Sequence, residues 1–334
     1  MRIGIIGGGS FGTALAKLLA ELDHRVTLWF RGRATARAVA EQRENHEYLP
    51  GFPLPATIHV TDDLKEAVGA QELLVAVTPS HVVREVMTQA RAYIKGRPYI
   101  VSASKGIEEG TLHRMSQVLV DVLGPEFGGR IAALSGPSFA REVAAGMPTA
   151  VTAAAVDVDT AETVQAVFRG PTFRVYSSTD VVGVELGGAV KNVIAIAAGV
   201  SDGLGLGNSS RAALITRGVA EIARLVAKMG GDPQTVSGLS GVGDMVLTCT
   251  GDLSRNRTVG LRIGRGECLQ EILQSMKMVA EGVRNSVSVY TLARRVGVEM
   301  PITEQIRLML HEDKPARQVV GDLMSRQARP EFWN

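Results

Sequence analysis

The sequence contains little cysteine and little histidine. Only two of its 334 residues are cysteine, Cys249 and Cys268, and two cysteines cannot form a framework of disulfides. The six histidines lie too far apart along the chain for the spacing of a zinc site. We therefore expect a protein of the reducing cytoplasm that binds no metal.

The sequence also lacks an excess of one charge and long apolar runs. Lysine and arginine number 36, aspartate and glutamate 34, and no run of five or six like charges occurs, which argues against a nucleic-acid or membrane-surface partner. The apolar start at residues 3–6 is too short for a secretory signal, and Gly146 and Pro148 interrupt residues 143–156. We expect neither nucleic-acid binding nor membrane insertion.

Aromatic residues make up only 4% of the chain, whereas glycine is abundant. There are 37 glycines, about 11% of the residues against a usual 7% or so. A hydrophobic share of 45% and a charged share of 21% are typical of a globular protein, and at about 150 residues per domain the length predicts two domains. The glycines are therefore the first place to search for a functional motif.

The N-terminal half alternates between strand and helix patterns. Strands are expected at residues 2–6, 25–30, 72–77, 99–102, 131–134 and 150–154, and helices at 13–22, 81–94 and 112–123. This order predicts an α/β fold with a Rossmann-like, doubly wound, mostly parallel sheet, which we assign to a domain of residues 1–180. Three prolines in residues 48–55 predict an extended loop, either a linker or a lid.

The C-terminal half shows only helix patterns. Strand signals end near residue 175, and helices are expected at 180–200, 210–228, 269–275, 283–296 and 303–310. We therefore predict an all-helical second domain of residues 181–334.

The first strand is followed by a glycine-rich turn that fits G-x-G-x-x-G. Gly7 permits the tight turn, Gly9 lets a pyrophosphate approach the backbone, and Gly12 allows close packing of the helix on the strand. The helix N-terminus would add free amides and a partial positive charge. The same residues also satisfy the G-x-S-x-G elbow of hydrolases at Ser10, but nothing around His311 marks it as the base that elbow needs. A purely structural turn is the other alternative, and dinucleotide binding is the preferred interpretation.

The end of the second strand bears on the choice between NADPH and NADH. NAD-binding sites carry an acidic residue there for the ribose hydroxyls, whereas residues 28–33 contain no acid and two arginines. Arg31 suits a 2′-phosphate, so we predict a preference for NADPH. A solvated surface arginine is the ordinary alternative.

A lysine interrupts an otherwise apolar helix pattern. Lys191 and Asn192 are the only strongly polar residues in 186–200, so the helix should be buried almost all round. A buried ammonium needs a partner, a lowered pKa or a polar cavity, which are the conditions of a catalytic lysine; snorkelling to the surface is the alternative. Asp244, after a glycine-dense stretch, is a candidate partner, with Thr248 one helical turn further on.

Two further segments could hold an anionic substrate. Ser254, Arg255 and Asn256 place a hydroxyl, a guanidinium and an amide on consecutive residues, which could grip a phosphate or could be a solvated loop. Lys105 follows the strand at 99–102, at the carboxyl edge where open α/β sheets bind ligands. Residues 135–140 repeat this pattern, although Ser138 could simply cap a helix.

Ten short sequence motifs occur in order along the chain. They are GGGSFGTALA (7–16), REN (43–45), YLPG (48–51), SKGIE (104–108), SGPSFA (135–140), ELGGAVKN (185–192), AALITRG (212–218), GVGD (241–244), SRN (254–256) and AEGV (280–283). Together they resemble the bacterial-type NAD(P)-dependent glycerol-3-phosphate dehydrogenases over nearly the whole chain.

The resemblance implies reversible hydride transfer between NAD(P)H and dihydroxyacetone phosphate, giving sn-glycerol 3-phosphate for phospholipid synthesis. It implies that Lys191 is the general acid in reduction and the base in oxidation. The implied substrate residues, with Thr248 as our addition, are Lys105, Gly136, Ser138, Lys191, Asp244, Thr248, Ser254, Arg255 and Asn256. The cofactor residues, implied by the resemblance or by the glycine turn, are Gly7, Gly9, Ser10, Phe11, Gly12, Arg31, Lys105, Ala140, Arg255, Val279 and Glu281.

Members of the family are typically homodimers that act on a small-molecule substrate. This chain departs from the family pattern in two places. Phe11 stands where the family often has Trp or Tyr, and residues 30–33 differ from versions that end in Asp or His, which affects the NADPH prediction. Two alternatives remain at this point: another two-domain dehydrogenase acting on a hydroxy or oxo acid, and a catalytically silent NADPH sensor.

Overall fold

The computed structural model describes residues 1–276 and 279–331. The chain divides into two compact units. Unit 1 comprises Met1–Lys105 and His113–Val184, and unit 2 comprises Gly106–Leu112 and Glu185–Asn334. The functional assignment of residues 1–180 and 181–334 to cofactor and substrate stays a prediction.

Unit 1 is built on an eight-stranded sheet. Its strands and those of a small hairpin are β1 (Arg2–Ile6), β2 (Arg25–Trp29), β3 (Glu44–Asn45), β4 (Leu49–Pro53), β5 (His59–Thr61), β6 (Leu73–Ala76), β7 (Tyr99–Ser102), β8 (Ile131–Ser135), β9 (Thr149–Ala155) and β10 (Phe173–Ser178). The sheet order is β10-β9-β8-β7-β6-β1-β2-β5, and every pair is parallel except β8 with β9. The predicted mostly parallel sheet is confirmed.

Helices flank this sheet because its central strands are apolar on both faces. The helices of unit 1 are α1 (Ser10–Glu21), α2 (Arg33–Gln42), α3 (Leu64–Val68), α4 (Val83–Arg91), α5 (Met115–Leu123), α6 (Ala140–Ala144) and α7 (Val158–Phe168). In β1, Ile3 and Ile5 belong to one core cluster and Ile6 to another. In β6, Leu73 and Leu74 divide between the same two clusters. Successive residues thus feed opposite faces, as the doubly wound arrangement requires.

The structure differs from the sequence expectations at three places in unit 1. Residues 48–55 were expected to form a loop, but β4 pairs antiparallel with β3, because a proline at the edge of a two-stranded hairpin costs no ladder hydrogen bond. The strands β5 and β10 were not expected. Both are sheet edges, and β10 buries Phe173 and Val175 while exposing Arg174 and Tyr176, a half-buried pattern weaker than that of a central strand.

The described part of unit 2 has no strand and is formed by helices, as predicted. After a start in unit 1, α8 (Val181–Gly203) leads to α9 (Gly207–Lys228), α10 (Asp244–Thr250), α11 (Arg255–Gly264), α12 (Leu269–Ser275), α13 (Glu281–Val296), α14 (Pro301–His311) and α15 (Ala316–Met324). A π-helical turn, Leu239–Gly243, immediately precedes α10.

The helix α8 is the core of unit 2. It is 23 residues long, and its most apolar 18-residue window has a mean hydropathy of 1.6, enough by length and composition to cross a bilayer. However, 94% of that window is buried inside the protein. The sequence pattern therefore reflects a helix surrounded by other helices.

Glycines bring α8 and α11 into close contact. Gly199 and Gly203 on α8 face Gly260 and Gly264 on α11, each pair spaced by one helical turn. A β-carbon at Gly260 would lie 2.0 Å from the carbonyl oxygen of Ile196, so no larger residue fits without moving the helices apart. Part of the glycine excess is therefore structural, and it fixes the start of α11 beside the polar residues of α8.

A buried carboxylate caps another helix of unit 2. Glu221 on α9 accepts hydrogen bonds from the backbone amides of Ile302 and Thr303, at 2.6 and 3.3 Å, and from the Thr303 hydroxyl at 3.0 Å. These groups lie in the first turn of α14, whose free amides need such a partner. Burial outweighs these bonds and raises the pKa of Glu221 to about 7.

Stability should consequently depend on pH through Glu221. An unfolded glutamate has a pKa of about 4.3, so between that pH and about 7 the folded state retains a proton that the unfolded state has lost. The free energy of unfolding should therefore fall as the pH rises through this range. The free energy of unfolding of Glu221→Gln minus that of the parent should therefore increase by about 2 to 4 kcal/mol from pH 5 to pH 8, measured by urea unfolding.

The comparison removes any constant effect of the amide. Glutamine cannot ionise, so a fixed cost of substitution appears equally at both pH values. Glu271→Gln, at an exposed position, should leave the pH profile unchanged. Parallel profiles for the parent and Glu221→Gln would contradict the raised pKa.

Candidate active site

The glycine turn of unit 1 has the geometry that the motif predicts. Gly7 has a φ of +127°, in the region that favours glycine. A β-carbon on Gly9 would meet no atom within 4 Å, so the backbone there is open to approach. At Gly12 a β-carbon would lie 1.9 Å from the Gly7 carbonyl oxygen. The turn is tight, its middle is open, and α1 packs closely on β1.

Two polar residues hold this turn in place. The buried Asn45 donates to the Gly8 carbonyl at 2.9 Å and to the Thr13 hydroxyl at 2.8 Å. The Ser10 hydroxyl donates to the Tyr48 carbonyl at 2.6 Å, so the structure gives no support to a hydrolase elbow. Sequence reasoning assigned Asn45 no role; the REN motif contained it, but only the fold shows that it lies against the turn.

At the carboxyl edge of β7 and β8 the structure brings three predicted residues together. The Lys105 ammonium donates to the Gly136 carbonyl at 3.3 Å, and the Ser138 hydroxyl donates to the same oxygen at 3.0 Å. Gly136 has a φ of +146°, and a β-carbon there would lie 2.8 Å from the Cα of Val151. The alternative that Ser138 caps a helix is wrong, because α6 has Phe139 at its N-cap.

The remaining cofactor residues predicted in unit 1 fall into two groups. Phe11 and Ala140 are partly buried against the core of the sheet. Arg31 is exposed at the end of β2, where its guanidinium lies 3.4 Å from the Glu85 carboxylate. Both partners are more than half exposed, so the ion pair is weak and the arginine can turn to another anion.

In unit 2 the structure pairs Lys191 with Asp244. The Lys191 ammonium donates to Asp244 Oδ1 at 2.5 Å and to the Thr248 hydroxyl at 2.7 Å. The side chain of Lys191 is only 9% exposed and that of Asp244 only 2%, so the snorkelling alternative is wrong. Removing either partner would leave a buried charge uncompensated.

Local structure explains how Asp244 and Thr248 meet the lysine. Asp244 is the first residue of α10, and Thr248 lies one turn later on the same face. The Thr248 hydroxyl donates to the Asp244 carbonyl at 2.6 Å, which aims an oxygen lone pair at the ammonium. Burial raises the pKa of the neighbouring Cys249 thiol to about 12, so this cysteine stays protonated at neutral pH.

The three predicted phosphate-binding residues, Ser254, Arg255 and Asn256, lie at the start of α11 but have different surroundings. Ser254 is the N-cap and accepts a hydrogen bond from the Arg257 amide at 3.2 Å. The buried Asn256 donates to Asn192 at 2.9 Å and accepts from the Gly282 amide at 2.9 Å. Its amide is therefore held within the protein, and Asn192, adjacent to Lys191, is a partner that sequence reasoning did not assign.

Arg255 differs from both of its neighbours. Its side chain is exposed, and its guanidinium makes no hydrogen bond or ion pair with residues 1–276 or 279–331. Although solvent reaches Arg255, the surrounding protein partly desolvates its guanidinium and lowers the pKa; Glu281 opposes that shift, and the arginine remains charged at neutral pH. Arg255 can therefore hold an anion, and Glu281, the first residue of α13, lies close enough to act on it. Val279, another predicted cofactor residue, is an apolar side chain that is 41% exposed.

Two family models match the chain. The NAD-dependent glycerol-3-phosphate dehydrogenase N-terminus matches residues 2–161, and the NAD-dependent glycerol-3-phosphate dehydrogenase C-terminus matches residues 180–321.

Full-length relatives give the same result. The chain is 54% identical over 332 residues to a glycerol-3-phosphate dehydrogenase [NAD(P)+] of Geobacter sulfurreducens, covering 99% of both proteins. It is 55% identical over 330 residues to the enzyme of the same name from Geobacter metallireducens, covering 99% of this chain and 98% of that one. The crystal structure of glycerol-3-phosphate dehydrogenase from Coxiella burnetii superposes with a TM-score of 0.93 at 40% identity, over 97% of this chain and 99% of that one.

Proposed function

This chain belongs to the NAD-dependent glycerol-3-phosphate dehydrogenase family, and from that membership we propose that it reversibly reduces dihydroxyacetone phosphate to sn-glycerol 3-phosphate with NAD(P)H. The observation that supports the proposal most strongly is the Lys191–Asp244 pair, a proton donor held in the buried core of unit 2. A silent sensor would not need such a costly group there.

The glycine turn of unit 1 fits a dinucleotide. Gly9 leaves room for a pyrophosphate, and the N-terminus of α1 carries no side-chain cap, so its amides can face the phosphates. When bound, NAD(P)H supplies the hydride that reduces the carbonyl carbon. Gly7, Gly9, Ser10, Phe11, Gly12, Arg31, Lys105, Ala140, Arg255, Val279 and Glu281 stay the predicted cofactor contacts.

Lys191 would supply the matching proton. In reduction its ammonium would donate a proton to the C2 oxygen, and in oxidation the neutral amine would remove that proton. Asp244 and Thr248 hold Nζ in one place and stabilise its charged form. The same two contacts would position Nζ in both directions of the reaction.

Arg255 would bind the substrate phosphate. Its guanidinium offers a planar pair of donors, and a charge-assisted hydrogen bond contributes about 1.5 to 3 kcal/mol. Ser254 and Asn256 would act by fixing the start of α11, since their polar atoms bond within the protein. Lys105, Gly136 and Ser138 stay predicted substrate contacts.

The finer assignments are proposals that rest on composition and family resemblance. We propose that NADPH is the preferred cofactor, that no metal takes part, and that the enzyme is a cytoplasmic homodimer. Its product would supply glycerophospholipid synthesis.

The proposed activity is tested by following absorbance at 340 nm with dihydroxyacetone phosphate and either NADPH or NADH at equal concentration. We expect oxidation of both, with NADPH consumed well ahead of NADH. Absence of oxidation with either cofactor, while NADPH still binds, would contradict the activity.

Cofactor preference should depend on Arg31. Arg31→Ala should raise KM for NADPH about tenfold and leave KM for NADH nearly unchanged, because only NADPH carries the 2′-phosphate. Glu85→Gln is the matched control: it removes the carboxylate that competes for Arg31, so KM for NADPH should stay equal or fall. An equal rise of both KM values in Arg31→Ala would show that Arg31 does not read the 2′-phosphate.

A further inference from the structure

Unit 2 contains a cavity of about 640 Å³ at the turn between α13 and α14. The segment that follows α15 forms another of its walls. Its volume lies within the range of small-molecule sites. Among the described residues that line it, none belongs to the proposed catalytic, cofactor or substrate set.

Arginines dominate the charge of this cavity. Arg294, Arg326 and Arg329 line it, and the last two share one carboxylate, that of Glu299, at 3.2 and 2.9 Å. The other lining carboxylate, Glu304, accepts a hydrogen bond from the Tyr290 hydroxyl at 3.2 Å. Three guanidiniums thus face two carboxylates.

Further positive charge lies behind the wall of the cavity. Arg224 on α9 donates to the Glu299 carbonyl at 3.2 Å. Desolvation lowers the pKa of Arg224, the carboxylates of Glu221 and Glu299 oppose that shift, and the like charges of Arg217 and Arg326 add to it. Arg224 and Arg326 are therefore close enough to repel each other, and an added anion would relieve that repulsion.

We propose that this cavity binds a small polyanion, a molecule with two or more negative charges borne on phosphate or carboxylate groups. Arg326 and Arg329 would divide their bonds between Glu299 and the ligand, and Arg294 would contribute a third guanidinium. A ligand must compete with the Glu299 carboxylate for these two arginines. A single negative charge would bind too weakly to do so, and Glu299 therefore selects for ligands with two or more charges. The ion pairs of Glu299 are partly exposed, so the exchange is inexpensive.

The test uses citrate as the probe and calorimetry as the readout. The full chain carries Arg255→Ala and is saturated with NADPH, so that the two proposed anion sites of the reaction do not bind citrate. We expect binding of one citrate per chain that weakens with salt. Arg294→Gln in this background should weaken binding about tenfold. Within the described residues Arg294 makes no side-chain hydrogen bond or ion pair. Its replacement therefore leaves the ion pairs of Arg326 and Arg329 with Glu299 intact.

Two double variants complete the design. Arg326→Gln/Arg329→Gln should abolish measurable binding, whereas Arg265→Gln/Arg295→Gln removes the same charge at exposed positions outside the cavity and should bind as the background does. Absence of citrate binding in the background chain, or equal weakening by both double variants, would overturn the proposal. Because the readout is binding and not turnover, its failure is distinct from failure of the proposed activity.

Discussion

Replacing Lys191 by alanine should lower kcat for dihydroxyacetone phosphate by about 10²- to 10⁴-fold, while NADPH still binds. The reason is that the carbonyl oxygen gains a full negative charge when hydride arrives unless a proton is delivered to it. The Lys191 ammonium, fixed by Asp244 and Thr248, is the donor that the core of unit 2 provides. Stopped-flow or steady-state absorbance at 340 nm measures the loss, and NADPH fluorescence measures binding.

Stability must be separated from catalysis in this variant. Lys191→Ala leaves the Asp244 carboxylate buried without its ammonium, which can cost about 3 to 5 kcal/mol. Lys191→Met/Asp244→Asn removes both charges and should fold with an activity as low as that of the single variant. Lys228→Ala, at the exposed end of α9, is the matched control and should keep full turnover. Undiminished turnover in a folded Lys191→Ala protein would remove this lysine from the mechanism.

Replacing Arg255 by alanine should lower kcat/KM for dihydroxyacetone phosphate about 10- to 150-fold. This range corresponds to one lost charge-assisted interaction with the phosphate. Dihydroxyacetone, which lacks the phosphate, gives the sharper measurement: the parent and Arg255→Ala should use it equally poorly. Binding energy from the remote phosphate then accounts for the difference between the two substrates.

The control for Arg255 lies just beyond the other end of α11. Arg265, which follows α11 at its C-terminal end, is exposed, and Arg265→Ala should leave kcat/KM unchanged. If Arg255→Ala lowered the rates for both substrates by the same factor, Arg255 would be acting on the cofactor or on the fold instead of on the phosphate.

Local pattern was sufficient for much of the fold. Central parallel strands are buried on both faces and give continuous apolar runs, so β1 and β7 were predicted with the bounds observed, and α12 likewise. Edge strands are not buried on both faces, so β5 and β10 gave no comparable signal. The antiparallel β9 was expected as a strand, but its direction depends on the path of the chain between strands, which local pattern does not contain.

The candidate site divides in the same way. The sequence by itself determined the glycine turn, because its chemistry depends on residues within six positions, and it determined that Lys191 needs a partner, because an ammonium in an apolar helix cannot stand alone. Only the tertiary structure decided that the partner is Asp244, 53 residues away in the sequence. It also decided that Asn192 accepts a hydrogen bond from Asn256, 64 residues away. These contacts exist because glycines let α8 and α11 approach closely and because α10 starts at an aspartate, and long-range packing of that kind is a property of the folded chain.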